Sequence, residues 1–439
     1  MNAVILAVAI MLILSVLRVN VVLALFLGAI GGGLAGGLGF DASLAAFTKG
    51  LGGGASIAIS YGMLGAFAMA ISASKIPQWL AQRIIQQVAR TDKSNGIRLS
   101  ILGSILLMAV ASQNLVPVHI AFIPILIPPL LGVFSSLQLD RRAVACTLSF
   151  GLIATYLLVP VGFGNIYLTQ ILAGNLNDNG LNIDPDQMPL AMALPVAGMF
   201  VGLLLAVFVS YRQPRHYHVD ENTLASAAED HLAIAPGTVL ITLVAIALAL
   251  GVQLFTDSMA MGAASGFVMM MLGGIINWRE ADDVFAQGVR MMALCGFIMI
   301  SASGFAEVLR ATGDIPALVA AVESMVYGSK ALAAILMLVV GLLITMGIGS
   351  SFSTIPIIAT LYVPLALALG FSPLATAAIV GASGALGDAG SPASDSTIGP
   401  TAGLNVDGQH DHIRDTVIPT FLHYNLPMIL FGWVAAMIL

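Results

Sequence analysis

Gly387-Asp388-Ala389-Gly390-Ser391-Pro392-Ala393-Ser394-Asp395-Ser396-Thr397 decides how this chain must be read. The run lies inside an apolar stretch, about residues 373–403, yet gathers two aspartates, four hydroxyls, two glycines and a proline into eleven positions. A lipid-facing helix cannot continue through it, because hydrocarbon offers no partner for the backbone groups that proline and glycine set free. It reads as the unwound midpoint of a broken membrane helix. A second break, Val159-Pro160-Val161-Gly162-Phe163-Gly164-Asn165, has the same proline and glycine breakers without the carboxylates.

Composition supports a membrane setting. Of 439 residues, 59% are hydrophobic and 9% charged, and the mean hydropathy is +0.99. A soluble domain carries about 25% charged residues, so a secreted domain, a nucleic-acid binder and a cytosolic enzyme are excluded, and the expected partner is the bilayer. The net charge of -6 is too diffuse to argue from. Cys146 and Cys295 stand alone in apolar runs and read as small buried residues. The first run, Asn2 to Val16, lacks a basic leader and cleavage site and is expected to be retained as a transmembrane helix.

Apolar runs that cross or nearly cross about 30 Å of hydrocarbon fall at 2–17, 21–39, 55–74, 143–173, 189–211, 236–256, 259–277, 289–304, 373–403 and 417–438. Two more, 98–137 and 331–370, are interrupted by Ser112-Gln113-Asn114-Leu115-Val116-Pro117 and by Gly349-Ser350-Ser351-Phe352-Ser353-Thr354-Ile355-Pro356. Basic residues flank the first of these at both ends (Lys75, Arg83, Arg90, Lys93, Arg98; then Arg141, Arg142), which reads as a re-entrant hairpin with both ends inside, the alternative being two tightly turned full spans. Its first arm, counted from Arg98 to Ala111, would be roughly 21 Å long and stop within the membrane. The loop with Asp178, Asp184 and Asp186 should be external. Glu307, Arg310, Asp314 and Glu323 read as an external amphipathic helix, and residues 410–415 as a solvated cytoplasmic turn.

The halves repeat. Ile71-Ser72-Ala73-Ser74 recurs as Ile300-Ser301-Ala302-Ser303, Phe47-x-x-Gly50 as Phe285-x-x-Gly288, and a shift of 232 carries Ala143 onto Ala375 and Pro160 onto Pro392. Each half then holds five crossings and one re-entrant hairpin, and an odd number inverts the second copy. The expected fold is an all-α polytopic membrane protein of two inverted repeats, 1–211 and 236–439, joined by a cytoplasmic linker, 212–235.

Half-helices that end in the membrane present carbonyls suited to Na+, and those that start there present N–H groups suited to a carboxylate. Two breaks and two hairpin tips should frame one site, with Asp388 and Asp395 as the Na+ ligands. Further oxygen donors are Ser391, Ser394, Ser396, Thr397, Ser350, Ser351, Ser353, Thr354 and Ser112, with Gln113, Asn114 and Asn165 supplying amides and His119 a substrate contact or proton relay. Either aspartate alone would also suit the cap of the following half-helix.

Gly387-Asp388-x-x-Ser391-Pro392-x-Ser394-Asp395-x-Thr397 resembles the Gly-Asp, Ser-Pro, Ser-Asp-Thr signature of NhaC-type Na+/H+ antiporters in the larger ion transporter superfamily. The order of hairpin and broken helix extends the resemblance over most of the chain. It implies an elevator carrier, in which a domain of hairpins and broken helices slides against a scaffold, usually as a homodimer. Superfamily relatives often carry Ser-Asn-Thr at each hairpin tip, and both tips here depart from that. Some relatives resemble amino-acid transporters.

The expected function is cation-coupled secondary transport in the cell (inner) membrane: Na+/H+ antiport first, Na+- or H+-coupled amino-acid transport second. No cofactor beyond the coupling ion is expected. An intramembrane aspartyl protease is disfavoured because residues 385–388 lack Gly-x-Gly-Asp, a channel because duplicated broken helices suit alternating access, and di- or tricarboxylate transport because no Arg or Lys lies near a tip or break in the sequence.

Overall fold

The computed structural model describes residues 2–17, 19–76, 79, 95–114, 119–218, 234–256, 258–326, 328–348, 350–392 and 394–439. Among them every regular element is helical, with one isolated bridge between Leu386 and Ala389. The first half runs α1 (Ala3–Val16), α2 (Val21–Ala35), α3 (Gly39–Ala73), α4 (Asn95–Asn114), α5 (His119–Ser136), α6 (Arg141–Leu158), α7 (163–178, through a wide π turn at Ile166–Ala173) and α8 (Met188–Leu205). The second runs α9 (Pro236–Thr256), α10 (Met259–Leu272), α11 (Ala281–Thr312), α12 (Ile315–Met325), α13 (Lys330–Ile348), α14 (Ser351–Ala368), α15 (Pro373–Ala385), α16 (Asp395–Leu404) and α17 (His412–Ile438).

Lengths differ from expectation where polar residues fit a helix that apolarity alone would have ended. Helix α3 starts at Gly39, taking in Asp41, Thr48 and Lys49, and α11 covers Ala281–Thr312 where only 289–304 is apolar. Arm α4 is 20 residues long, six more than expected, because the helix extends over Asn95-Gly96-Ile97 and on through Ser112 to Asn114; Gly96–Asn114 is long and apolar enough to span, so its length does not make it stop within the membrane. Among the described residues five helices are long and apolar enough to span a bilayer, six if the pair Gly39–Ala55 and Ala58–Ala73, bent by 41°, counts as one. The expected crossings 2–17, 21–39, 259–277 and 373–403 consist of shorter helices, the last divided into α15 and α16. Gly313, at φ 71°, ends α11, so Glu307 and Arg310 belong to its last turns and not to a separate surface helix.

The longest contact pairs α3 with α11. A Cβ at Gly50 would lie 2.6 Å from the Ser303 carbonyl, and one at Gly65 would strike the Gly288 carbonyl. The offset of 238 that superposes Gly50 on Gly288 also superposes Gly65 on Ser303, so the two contacts exchange, as they do across a two-fold axis. The same reciprocity governs the rest. Helix α2 packs on α11 as α10 packs on α3, α4 on α6 as α13 on α15, and α5 on α16 as α14 on α7. Each hairpin therefore rests one arm on its own broken helix and the other on the broken helix of the opposite half. On α9, Leu240, Leu243, Val244, Leu248 and Phe255 point outward, a surface suited to lipid.

Candidate functional site

The break between α15 and α16 is built around glycine. Gly387 (φ 86°) and Gly390 (φ 107°) occupy backbone conformations that side chains disfavour. A Cβ on Gly387 would lie 2.7 Å from the Met346 amide nitrogen, and one on Gly390 2.7 Å from the Phe421 Cα. Asn425, from a π turn in α17, clamps the turn on both sides of Asp388: its Oδ1 accepts from the Gly387 N–H at 2.9 Å and its Nδ2 donates to the Ala389 carbonyl at 2.6 Å.

This scaffold presents Asp388, only 6% exposed, to four hydroxyls. Tyr156 of α6 donates to Oδ2 at 2.8 Å, and Ser351, the first residue of α14, donates to the same oxygen. Ser394 donates to Oδ1, with Ser396 at 3.3 Å. A carboxylate has about four lone-pair sites, of which Tyr156, Ser351 and Ser394 occupy three; Ser396, with a single proton, lies nearer the Asp388 backbone carbonyl, at 2.9 Å. Because each hydroxyl also carries lone pairs, the same oxygens can turn from donating to the carboxylate to coordinating a small hard cation. Over the nest lies Phe352, with ring centroids 4.9 Å from Tyr156, 4.8 Å from Phe163, 5.3 Å from Tyr167 and 6.1 Å from Tyr61 of α3.

The other anticipated residues divide by where their polar atoms go. The Oδ1 of Asn114 accepts from Gly164 N–H at 2.9 Å and its Nδ2 donates to Val159 O at 3.4 Å, bridging the first break. That contact and the Phe163–Phe352 pair link Asn114 of the first hairpin, through the first break, to the start of α14. Gln113 is buried, and its Oε1 has no partner among the described residues. Ser112 donates to Ala109 O, Thr354 to Ser350 O, Ser391 to Met346 O, and Thr397 to the carbonyls of Ser391 and Ser394, so these hydroxyls hold backbone. Ser350 begins α14 without a side-chain cap bond, and Asn165 is half-buried. The side chains of Ser353, His119 and Cys295 lie outside the described residues. Asp395 is exposed at the first position of α16, where a negative charge suits the positive end of the helix. The two aspartates thus do not share one nest, and Asp388 occupies the centre.

Tyr156, Asn425 and the aromatic ring set were not anticipated. Asn425 had a sequence signal, as a lone amide in the apolar run 417–438. Lysine and arginine also come near the second hairpin through folding: Lys49 and Arg310 line a cavity with Pro356, five residues beyond Ser351.

At the far end of α16, fully buried Arg141 makes a two-pronged ion pair with Asp407 at 2.7 and 2.6 Å and donates to Leu404 O at 3.1 Å. Tyr217 covers the guanidinium at 4.1 Å, and Arg215 pairs with Asp415 at 2.7 Å. The start of the linker therefore straps the head of α6 to the turn after α16. His410, expected in solvent, is buried against Thr416.

The model of the Na+/H+ antiporter family matches residues 147–433, and a second Na+-H+ antiporter family model matches residues 2–88. The chain belongs to the Na+/H+ antiporter family. This family member is 57% identical to an uncharacterised membrane protein of Vibrio parahaemolyticus over 100% of both chains, and 52% identical to one of Haemophilus influenzae over 100% of this chain and 99% of that one. It is 50% identical over 100% of both chains to a Bacillus subtilis protein named "Putative amino acid transporter YuiF". Among solved structures it shares its fold with Neisseria gonorrhoeae MtrF (TM-score 0.60, 16% identity, 90% of this chain and 84% of that one) and the Alcanivorax borkumensis YdaH transporter (0.57, 18%, 89% and 86%). It is an integral, multi-pass membrane transport protein, cation-coupled as its family is.

Proposed function

We propose that this antiporter-family protein is a cation-coupled carrier of amino acids in the cell membrane, with Asp388 as the seat of the coupling Na+ or H+. The observation that carries the coupling site is the enclosure of one carboxylate by Tyr156, Ser351, Ser394 and Ser396, drawn from both halves. A buried carboxylate surrounded by hydroxyls, with Phe352 packed on Tyr156, suits a small ion, so an organic cargo needs separate room. The full-length likeness to the Bacillus protein favours an amino acid as that cargo. Reciprocal packing of the hairpins on the broken helices supports two inverted repeats, and a body of those elements sliding against α3 and α11 is the motion we propose.

Na+/H+ antiport without organic cargo is the second reading, favoured by the family's description and by the carboxylate among hydroxyls. The two part in proteoliposomes under an inward Na+ or proton gradient. Accumulation of a 14C-labelled L-amino acid, lost in Asp388→Asn, is the expected result. Na+-driven proton movement with no uptake of any amino acid would replace it with antiport.

A further inference from the structure

We infer that the cavity between α3, α7, α11 and α14 is an outer capture site for a zwitterionic α-amino acid, with Lys49 and Arg310 facing its carboxylate and Glu307 and Asp178 its ammonium group. The inference rests on the amino-acid reading above and places the cargo's first contact away from Asp388. The cavity measures about 300 Å³, room for one small solute. Its walls come from both bodies of the carrier: Lys49, Glu307 and Arg310 from the α3–α11 pair, and Gln170, Asn175 and Asp178 from α7.

The charges are arranged to be exchanged. Glu307 divides its oxygens between two cations, Lys49 at 2.6 Å and Arg310 at 3.3 Å, while Arg310 also reaches Asn179 Oδ1 at 3.3 Å. Lys49 is 78% exposed, and pairs of this kind contribute about 0–1 kcal/mol, so a ligand carboxylate can take the cations from Glu307 at little cost and leave that carboxylate for the ammonium group. Two cations and two carboxylates cancel. A zwitterion therefore enters without net repulsion, whereas a bare cation faces Lys49 and Arg310 and a dicarboxylate faces Glu307 and Asp178. The acidic loop that holds Asp178 reads as external, which places the cavity on the outer side. From there α7 leads from Gln170 to Tyr167, and α14 from Pro356 to Ser351, both beside the Asp388 nest.

The test uses full-length protein in proteoliposomes, with the twenty L-amino acids offered singly in 14C-labelled form. For the one that the wild type takes up, Lys49→Gln and Arg310→Gln should each raise KM roughly tenfold, from the loss of a charged hydrogen bond, with Vmax within about twofold, and Lys49→Arg should restore KM. Thermal protection by Na+ reports the fold of each variant. An unchanged KM in folded variants overturns the capture site while leaving amino-acid transport in place; absence of uptake of all twenty by the wild type overturns the transport reading instead. If either variant fails to fold, acylation of Lys49 in the wild type decides: protection by the transported amino acid supports the site, and undiminished labelling overturns it.

Discussion

Tyr156 donates a 2.8 Å hydrogen bond to Asp388, and the two are 232 positions apart, the shift that carries Ala143 onto Ala375 and Pro160 onto Pro392. Positions equivalent under a two-fold can touch only where the axis runs. The nest thus lies where the axis of the proposed inverted repeat would run. Tyr156→Phe removes one charged hydrogen bond, worth about 1.5–3 kcal/mol. Na+ affinity should weaken roughly tenfold or more, measured by Na+-dependent thermal protection, while the shape of the aromatic cluster is kept. Unchanged protection would remove Tyr156 from the site.

The two aspartates should separate on mutation. Asp388→Asn abolishes coupled flux, because the neutral amide no longer offsets the dehydration of a cation. Asp395→Asn, at an exposed helix start, should cost only a dipole interaction of about 0.3–1 kcal/mol and leave substantial flux. Equal loss in proteoliposome assays of both variants would return Asp395 to the ion path.

The α3–α11 crossing leaves no room for a methyl group. Gly288→Ala, whose Cβ would meet the Gly65 backbone, should destabilise by about 1–3 kcal/mol. Gly103→Ala in α4, with open space around it, should be neutral or slightly stabilising. Thermal unfolding in one detergent compares them directly.

Two groups in the turn between α16 and α17 should titrate stability in different windows. Burial, opposed in part by Asp415, lowers the His410 imidazole from 6.5 to about 4. Its contribution is full above about 6.5 and declines as pH falls toward 4, since only the unfolded chain takes up the proton there. His410→Gln should flatten that decline in the melting temperature. For Asp407, burial raises the carboxyl but the hydrogen bonds and charge of Arg141 outweigh it, holding it below 3.8. Its loss begins only below that value, so Asp407→Asn should leave the 6.5-to-4 slope intact while lowering stability throughout by about 3–5 kcal/mol, the cost of an unpaired buried cation.

What the sequence made legible was local. Proline, glycine and carboxylates within Gly387 to Thr397 cannot be reconciled with lipid, so the break and its mate at Val159 to Asn165 could be placed. The choice between Asp388 and Asp395 could not be made. Both sit in the same polar run, and what distinguishes them arrives from Tyr156, Ser351 and Asn425 across the fold. Lys49 and Arg310 looked remote from the second hairpin for the same reason: their proximity to Pro356 is a product of helix packing.

Arg141 has a consequence for the protein's birth. Its side chain is wholly buried, yet its partner Asp407 is 266 residues later in the chain. At about 5–20 residues per second, synthesis leaves that guanidinium without its carboxylate for on the order of tens of seconds. During that interval an unpaired guanidinium favours water over the protein interior. The seam between the head of α6 and the turn after α16 therefore closes only when the chain is nearly complete.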